Sequence, residues 1–228
     1  MTDAVVMAAG EGTRLRPVTE RWPKPILPID GRPVIATLLR ELAAAGVDRA
    51  VVVTGHLAEQ VEELVGDEGA FGLEVAFVRQ PEAVGSADAV RRALAGGAVP
   101  PFLVSAADTV YREGDIARFH AAAGPHAGAL AVRRVPAPDP VHRQPVLIED
   151  GLVRRVIDDD PENPLAAAPL WWFGRELVPY LEGVAGLADA AQAAIDAGLA
   201  IAGIEIGNTR DLTHPVDLVE RNFPYLSR

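Results

Sequence analysis

The chain has 228 residues and a mass of 24.1 kDa, the size of one domain rather than several. Its formal net charge is −11 and its pI near 4.9, which excludes the basic footprint of a nucleic-acid binder. There is no cysteine, so disulfides, thiolate metal sites and cysteine nucleophiles are excluded. No run reaches the ~18 apolar residues of a membrane span. The opening MTDAVVMAAGEGTR has no basic leader and breaks at Gly10, unlike a signal peptide, so the cytoplasm is the expected compartment.

In chain order, Ala4–Ala8 reads as a buried strand ending in the loop Ala9–Pro17. Pro23, Pro25 and Pro28 then forbid a long helix. Pro33 opens a helix to about Ala45, with Val34, Ile35, Leu38, Leu39 and Leu42 on one face and Gly46 as the stop. Ala50–Thr54 is a strand, Leu57–Val65 a helix and Leu73–Val78 a strand. Ser86 is expected to cap a helix to about Ala95. Pro101–Ser105 is a strand, Ala106–Tyr111 a loop, Asp115–Ala123 a helix and Gly128–Val135 a strand. Seven prolines between Pro136 and Pro169 then mark a β-rich insertion, with strands at Val146–Glu149, Leu152–Ile157 and Ala166–Phe173. Helices return at Arg175–Leu181 and Ala188–Ala197, Leu199–Ile206 is a strand, and Leu212–Arg221 is a helix interrupted by Pro215.

This alternation predicts an α/β fold with a mostly parallel central sheet and a small β-rich insertion. Ligands in such sheets bind beyond the carboxyl ends of the strands. The residues to inspect are therefore Ala9–Pro17, Gln80–Ala87, Ala106–Thr109 and Glu205–Thr209. The five histidines show no metal-ligand spacing and read as surface or loop residues.

The cations carry a further signal. Twenty are arginines and one, Lys24, is a lysine. A lone lysine marks a place where a compact ammonium serves and a planar guanidinium does not. Ahead of it, Gly10-Glu11-Gly12-Thr13-Arg14-Leu15-Arg16-Pro17 follows the first strand directly. Glycines there let backbone N–H groups approach phosphate, and Arg14 adds a cationic fork. Leu15 breaks the dinucleotide fingerprint, and no phosphate-loop motif of the G-x-x-x-x-G-K-[ST] type occurs.

AAGEGTRLRPVTERWPKPILPIDGRPVI resembles, nearly residue for residue, the signature of the sugar-phosphate nucleotidylyltransferases, or NDP-sugar pyrophosphorylases. The resemblance implies a single domain over 1–228 of three-layer Rossmann-like nucleotidyltransferase fold. Its nucleotide half would be 1–110 and its acceptor half 111–228. It also implies that Arg14 and Lys24 are the catalytic phosphate-binding cations. Ala8, Ala9, Gly10, Gly12 and Thr13 would wrap the nucleotide. Gln80-Pro81-Glu82-Ala83-Val84-Gly85-Ser86-Ala87 is similar to the family's base-binding element, so Gln80, Gly85 and Ser86 would hold the base. Asp108 and Glu205 would bind Mg²⁺, although the family usually has aspartate at the second place.

The middle of the chain departs from the family pattern. Where the family has Glu-Lys-Pro, this chain reads Val156-Ile157-Asp158-Asp159-Asp160-Pro161, and two family glycines correspond to Pro145 and Pro169. An acceptor group would then fall to Asp158 or Asp159. Arg143, Arg154 or Arg155 would replace the lost lysine, and Trp171 or Trp172 would stack on the acceptor. Tryptophans in strands are more often core. The implied reaction is NTP plus sugar 1-phosphate giving an NDP-sugar and pyrophosphate, by a monomer or small homo-oligomer without nucleic-acid or membrane partners. The alternatives are the same transfer to an alcohol phosphate, a phosphonate or an amino-sugar 1-phosphate, a nucleotide-binding protein without turnover, and a redox protein on a similar fold.

Overall fold

The computed structural model describes residues 1–67, 71–135, 144–160 and 162–223. β1 (Asp3–Ala8) leads into three 3₁₀ turns, Thr13–Leu15, Val18–Glu20 and Lys24–Ile26, as the prolines require. A small hairpin, β2 (Pro28–Ile29) and β3 (Arg32–Pro33), precedes α1 (Val34–Ala44). There follow β4 (Arg49–Thr54), α2 (Ala58–Asp67), β5 (Glu74–Arg79), α3 (Ser86–Ala95), β6 (Phe102–Ala106), β7 (Thr109–Val110) and α4 (Asp115–Ala123). The second half holds β8 (Gly128–Arg134), β9 (Leu147–Glu149), β10 (Leu152–Arg155), β11 (Leu165–Phe173), α5 (Leu187–Asp196), β12 (Ile201–Glu205), β13 (Arg210–Asp211) and α6 (Pro215–Asn222).

Among the described residues the main sheet has nine strands in the order β5-β4-β1-β6-β11-β8-β12-β10-β9. Strands β5, β4, β1, β6, β8 and β12 run one way. Strands β11 and β10 run against them, and β9 is antiparallel to β10. One face packs on α1, α2 and α4 through Leu38, Leu42, Val61, Ile116 and Phe119. The other packs on α3 and α5 through Val90, Ala93, Leu187 and Ala190. The result is the expected three-layer α/β arrangement. The carboxyl ends of β1, β4, β5 and β6 share one edge, and the glycine loop, Gln80 and Asp108 all leave from it.

Several local expectations need correction. Ser86 is the first helical residue of α3 and does not cap it. Gly85 holds the cap position, and the Ser86 Oγ accepts from the Leu187 N–H at 2.9 Å, tying α3 to α5. Leu57 has φ 50 and stays outside α2. Thr109–Val110 pairs with β13 instead of forming a loop. The Arg175–Leu181 segment is 3₁₀ rather than α-helical, since Pro179 inside it lacks an N–H. The last helix starts at Pro215, whose missing donor costs nothing in a first turn. Leu212 precedes it and is fully buried.

Candidate active site

Three cavities open along the carboxyl edge of the sheet, and Met7, near the end of β1, lines all of them. The first lies between the glycine loop and the end of β6. Gly10, Gly12, Thr13 and Arg14 form one wall, and Lys24 and Asp108 the other. The Lys24 Nζ donates to the Asp108 Oδ2 in a short, direct ion pair. The lysine side chain is only 13% exposed and the aspartate 29%, so the pair is shielded from bulk water on the lysine side. The Thr109 hydroxyl lies 3.3 Å from the other Asp108 oxygen and can donate to it. Arg14 reaches the same cavity and makes no hydrogen bond or ion pair among the described residues. A cation held free beside a glycine turn is arranged to meet an anion.

The loop keeps its shape for local reasons. Gly12 is left-handed, at φ 62, and a Cβ there would stand 2.9 Å from the Thr19 Cγ2. The Thr19 hydroxyl donates to the Gly12 carbonyl at 2.9 Å, and the Thr19 carbonyl accepts from the His56 Nε2 at 2.6 Å. His56, from the β4–α2 connection, therefore braces the loop. Sequence reading placed it with the uninvolved histidines, because its partner is 37 residues away.

The second cavity adjoins the first and holds Ala9, Gly10, Gln80, Gly85 and Ser86. Gln80 is buried, and its side-chain nitrogen donates to the Gly85 carbonyl at 3.1 Å and to the Asp88 Oδ2 at 2.8 Å. Both partners are acceptors only, which fixes the amide orientation and spends both N–H donors. What Gln80 can offer a ligand is its carbonyl oxygen. Burial works against ionisation of Asp88, but hydrogen bonds from Arg92 and Gln80 outweigh it and hold the carboxyl below its usual value. Gln80→Glu would turn this into a cluster of acceptors. The introduced carboxyl, its pKa raised by burial and by Asp88, would contribute stability only below the normal carboxylate range near ~4 and lose it as pH rises. We expect a melting temperature below that of the parent at pH 7.5, from a loss of about 1–3 kcal/mol, and a smaller deficit at pH 4.5.

The third cavity is lined by Gln144, Ile157, Pro169, Trp171 and Asp189, with Ser86 shared with the second. Trp171 is 7% exposed and shows one part of itself to this space. Its neighbour Trp172 is core: the indole N–H donates to the His126 carbonyl at 3.1 Å, and the ring packs on His120. Among the described lining residues there is no lysine or arginine.

The other expected acceptor groups stand elsewhere. Asp158 accepts from the Asn163 Nδ2 at 2.8 Å. Asp159 pairs with Arg155 at 2.9 Å, and Arg154 with Glu149 at 3.4 Å, all at the surface. None of these lines the third cavity. Arg143 lies outside the described residues.

Glu205 is not among the residues that line the cleft holding Asp108. It ends β12, three strands from β6, and its 48% exposed carboxylate accepts from the Arg134 Nε at 2.9 Å. The strand-end rule puts it on the right edge but says nothing about strand order. The segment after β12 instead brings Leu212 and Thr213 to the first cavity, through the pairing of β13 with β7. No sequence signal marks that two-residue pairing.

No cluster of three or more metal-ligating side chains occurs among the described residues. One cleft-facing carboxylate, Asp108, suits Mg²⁺ that arrives on phosphates, since that ion keeps waters and substrate oxygens as most of its ligands. It does not suit an ion held by protein alone. No helix among the described residues is long and apolar enough to cross a membrane.

A sequence profile described as nucleotidyl transferase matches residues 3–142. The low-salt glycan biosynthesis nucleotidyltransferase Agl11 of Haloferax volcanii is 27% identical over 230 residues, covering 96% of this chain and 64% of that protein. The CMP-5'-(3-aminopropyl)phosphonate synthase of Streptomyces rubellomurinus is 48% identical over 79 residues, covering 35% of this chain and 12% of that protein. The chain thus spans less than two thirds of the length of either curated relative. A UDP-glucose pyrophosphorylase structure from Acinetobacter baumannii superposes with a TM-score of 0.83 at 19% identity, over 97% of this chain and 92% of that one, a likeness of fold.

Proposed function

This chain belongs to the nucleotidyl transferase family, and from that premise we propose that it transfers a nucleoside monophosphate from an NTP to a sugar 1-phosphate, releasing pyrophosphate. The observation that carries this reading is the meeting of Arg14, Lys24 and Asp108 in one cleft, continuous through Met7 with the Gln80 cavity and the Trp171 cavity. Three adjoining spaces match three parts: phosphates, base and acceptor.

The acceptor oxygen is already anionic, so the chemistry needs alignment and charge neutralisation more than a general base. In this reading Arg14 takes the pyrophosphate end of the nucleotide. Lys24 leaves Asp108 for the phosphate at the reacting centre. The backbone from Ala8 to Thr13 follows the phosphates, and the Gln80 carbonyl oxygen accepts from a base N–H. Asp108, released from Lys24, holds Mg²⁺, which supplies charge shielding between the two polyanions when bound.

One observation favours a second reading of the acceptor. The Trp171 cavity contains Asp189 and no described cation, so it suits a neutral or ammonium-bearing tail better than an acidic one. The relative named as a CMP-5'-(3-aminopropyl)phosphonate synthase points the same way. The test is Mg²⁺-dependent pyrophosphate release over four NTPs, with sugar 1-phosphates, amino-sugar 1-phosphates and aminoalkylphosphonates as acceptors. One dominant pair is the expected result. Nucleotide binding without release from any pair would overturn catalysis by this chain.

A further inference from the structure

Three helices among the described residues carry an aspartate as their third residue: Asp88 in α3, Asp189 in α5 and Asp217 in α6. A carboxylate in that place can reach back to the N–H of the residue before the helix. Asp189 does so, accepting from the Gly186 N–H at 3.2 Å, and Asp217 does so, accepting from the His214 N–H at 2.7 Å. Asp88 does not. No hydrogen bond from the Gly85 N–H to Asp88 occurs among the described residues. Its Oδ2 accepts instead from the Gln80 side-chain nitrogen at 2.8 Å and from the Arg92 Nε at 2.6 Å. Its other oxygen faces the Arg91 guanidinium at 3.4 Å. The first-turn aspartate of α3 is thus diverted from its own helix to the wall of the base cavity.

This carboxylate is a strict acceptor. Its side chain is 14% exposed, and Arg91 and Arg92 flank it, so it stays ionised and carries no proton to give. Arg91 also donates to the Leu181 carbonyl, and Arg92 to the Arg79 carbonyl at 3.3 Å, which anchors the pair on two neighbouring segments. Gln80 lies between Asp88 and the Gly85 carbonyl. A half-turn of its amide would set the amide oxygen against a carboxylate and a carbonyl at once. The amide is therefore locked, and of its two ends only the oxygen is left for the cavity.

We propose that Asp88 is the positioning residue that sets base selectivity, by making Gln80 a reader of N–H groups alone. This rests on the transferase reading, with the Gln80 cavity as the base site. A free glutamine amide can turn and meet either a donor or an acceptor. Uracil and cytosine have opposite patterns: an N–H beside a carbonyl in one, a bare nitrogen beside an amino group in the other. Guanine and adenine are opposite in the same way. Whichever of those two ring positions faces Gln80, one member of each pair brings an N–H and the other a lone pair. A locked acceptor must favour one of them.

The test is the ratio of kcat/KM for UTP over CTP and for GTP over ATP, in the parent, Asp88→Ala and Asp88→Asn. The parent should discriminate by about ten- to a hundredfold within the pair it uses, as expected for one mismatched buried hydrogen bond. Asp88→Ala should bring that ratio to within about fivefold of unity, since only the Gly85 carbonyl then orients the amide. The acceptor KM should stay within about twofold of the parent value, and a general loss of stability would not move the ratio. Asp88→Asn should keep most of the discrimination, because Arg92 and Gln80 donate to the same oxygen and an amide oxygen can take its place. A parent that uses both members of a pair alike, or an Asp88→Ala ratio equal to the parent's, would overturn the proposal. So would an Asp88→Asn ratio as relaxed as that of Asp88→Ala. Were no pyrophosphate released, dissociation constants for the four NTPs supply the same ratios. Discrimination that Asp88→Ala relaxes would then uphold Asp88 while the transferase reading failed, and no binding of any NTP would overturn both.

Discussion

Replacing Lys24 with alanine is expected to lower turnover by about two to four powers of ten while the protein stays folded. Removing a preorganised charge from a transition state costs about 10²–10³ for a single donor, and Lys24 serves a reaction between two polyanions. The fold should tolerate the change, since the abandoned Asp108 is 29% exposed and can recruit water. Steady-state kinetics beside a melting curve make the check. Turnover within tenfold of the parent would remove Lys24 from the mechanism. Lys24→Arg should recover little, because the site is only 13% exposed and a guanidinium is larger than the ammonium it accommodates. In a chain whose other twenty basic side chains are arginine, that failure would explain why this position is not.

Gly85→Ala should be the most damaging single-methyl change in the base cavity. Gly85 has φ 116, and an added Cβ would stand 2.2 Å from the Ala185 carbonyl oxygen, a backbone atom that cannot turn aside. Strained backbone costs about 1–3 kcal/mol and overpacking about 1–3 kcal/mol, so a loss of about 2–5 kcal/mol follows. For a chain of this length that is a drop of roughly 5–15 °C in melting temperature. The NTP KM should rise at least about tenfold, because the Gly85 carbonyl also orients Gln80. Gly10→Ala supplies the contrast. A Cβ there meets nothing within 4 Å, so stability should move by less than about 0.5 kcal/mol. Any loss of nucleotide affinity in Gly10→Ala would then report a ligand contact rather than a damaged loop.

The sequence-predicted residues that the structure gathers along these cavities share one trait: each sits in a short motif after a strand. Gly12, Arg14 and Lys24 lie within 13 residues on one loop, and Gln80 and Gly85 on another, so local chemistry and the carboxyl-edge rule locate them. What escaped depends on pairing across the chain. Glu205 is at a strand end, but β12 stands three strands from β6 and its carboxylate is paired with Arg134. Leu212 and Thr213 arrive through the β7–β13 pairing. Asp158 or Asp159 reads as an acceptor group by analogy, yet Asn163 donates to the first and Arg155 pairs with the second.

Strand β11 runs against both of its neighbours, β6 and β8. It forms a seam between two parallel blocks, and α4 is the crossover helix that carries the chain past it from β6 to β8. The profile match ends at residue 142, after β8 has already been laid down beyond the seam. Met7, which lines all three cavities, is one joint between the nucleotide side and the acceptor side. Its flexible thioether, which adapts to irregular surroundings, suits such a joint. For an engineer seeking a new acceptor, libraries confined to Gln144, Ile157 and Trp171 should leave the handling of the nucleotide intact, whereas a change at Met7 would reach all three cavities.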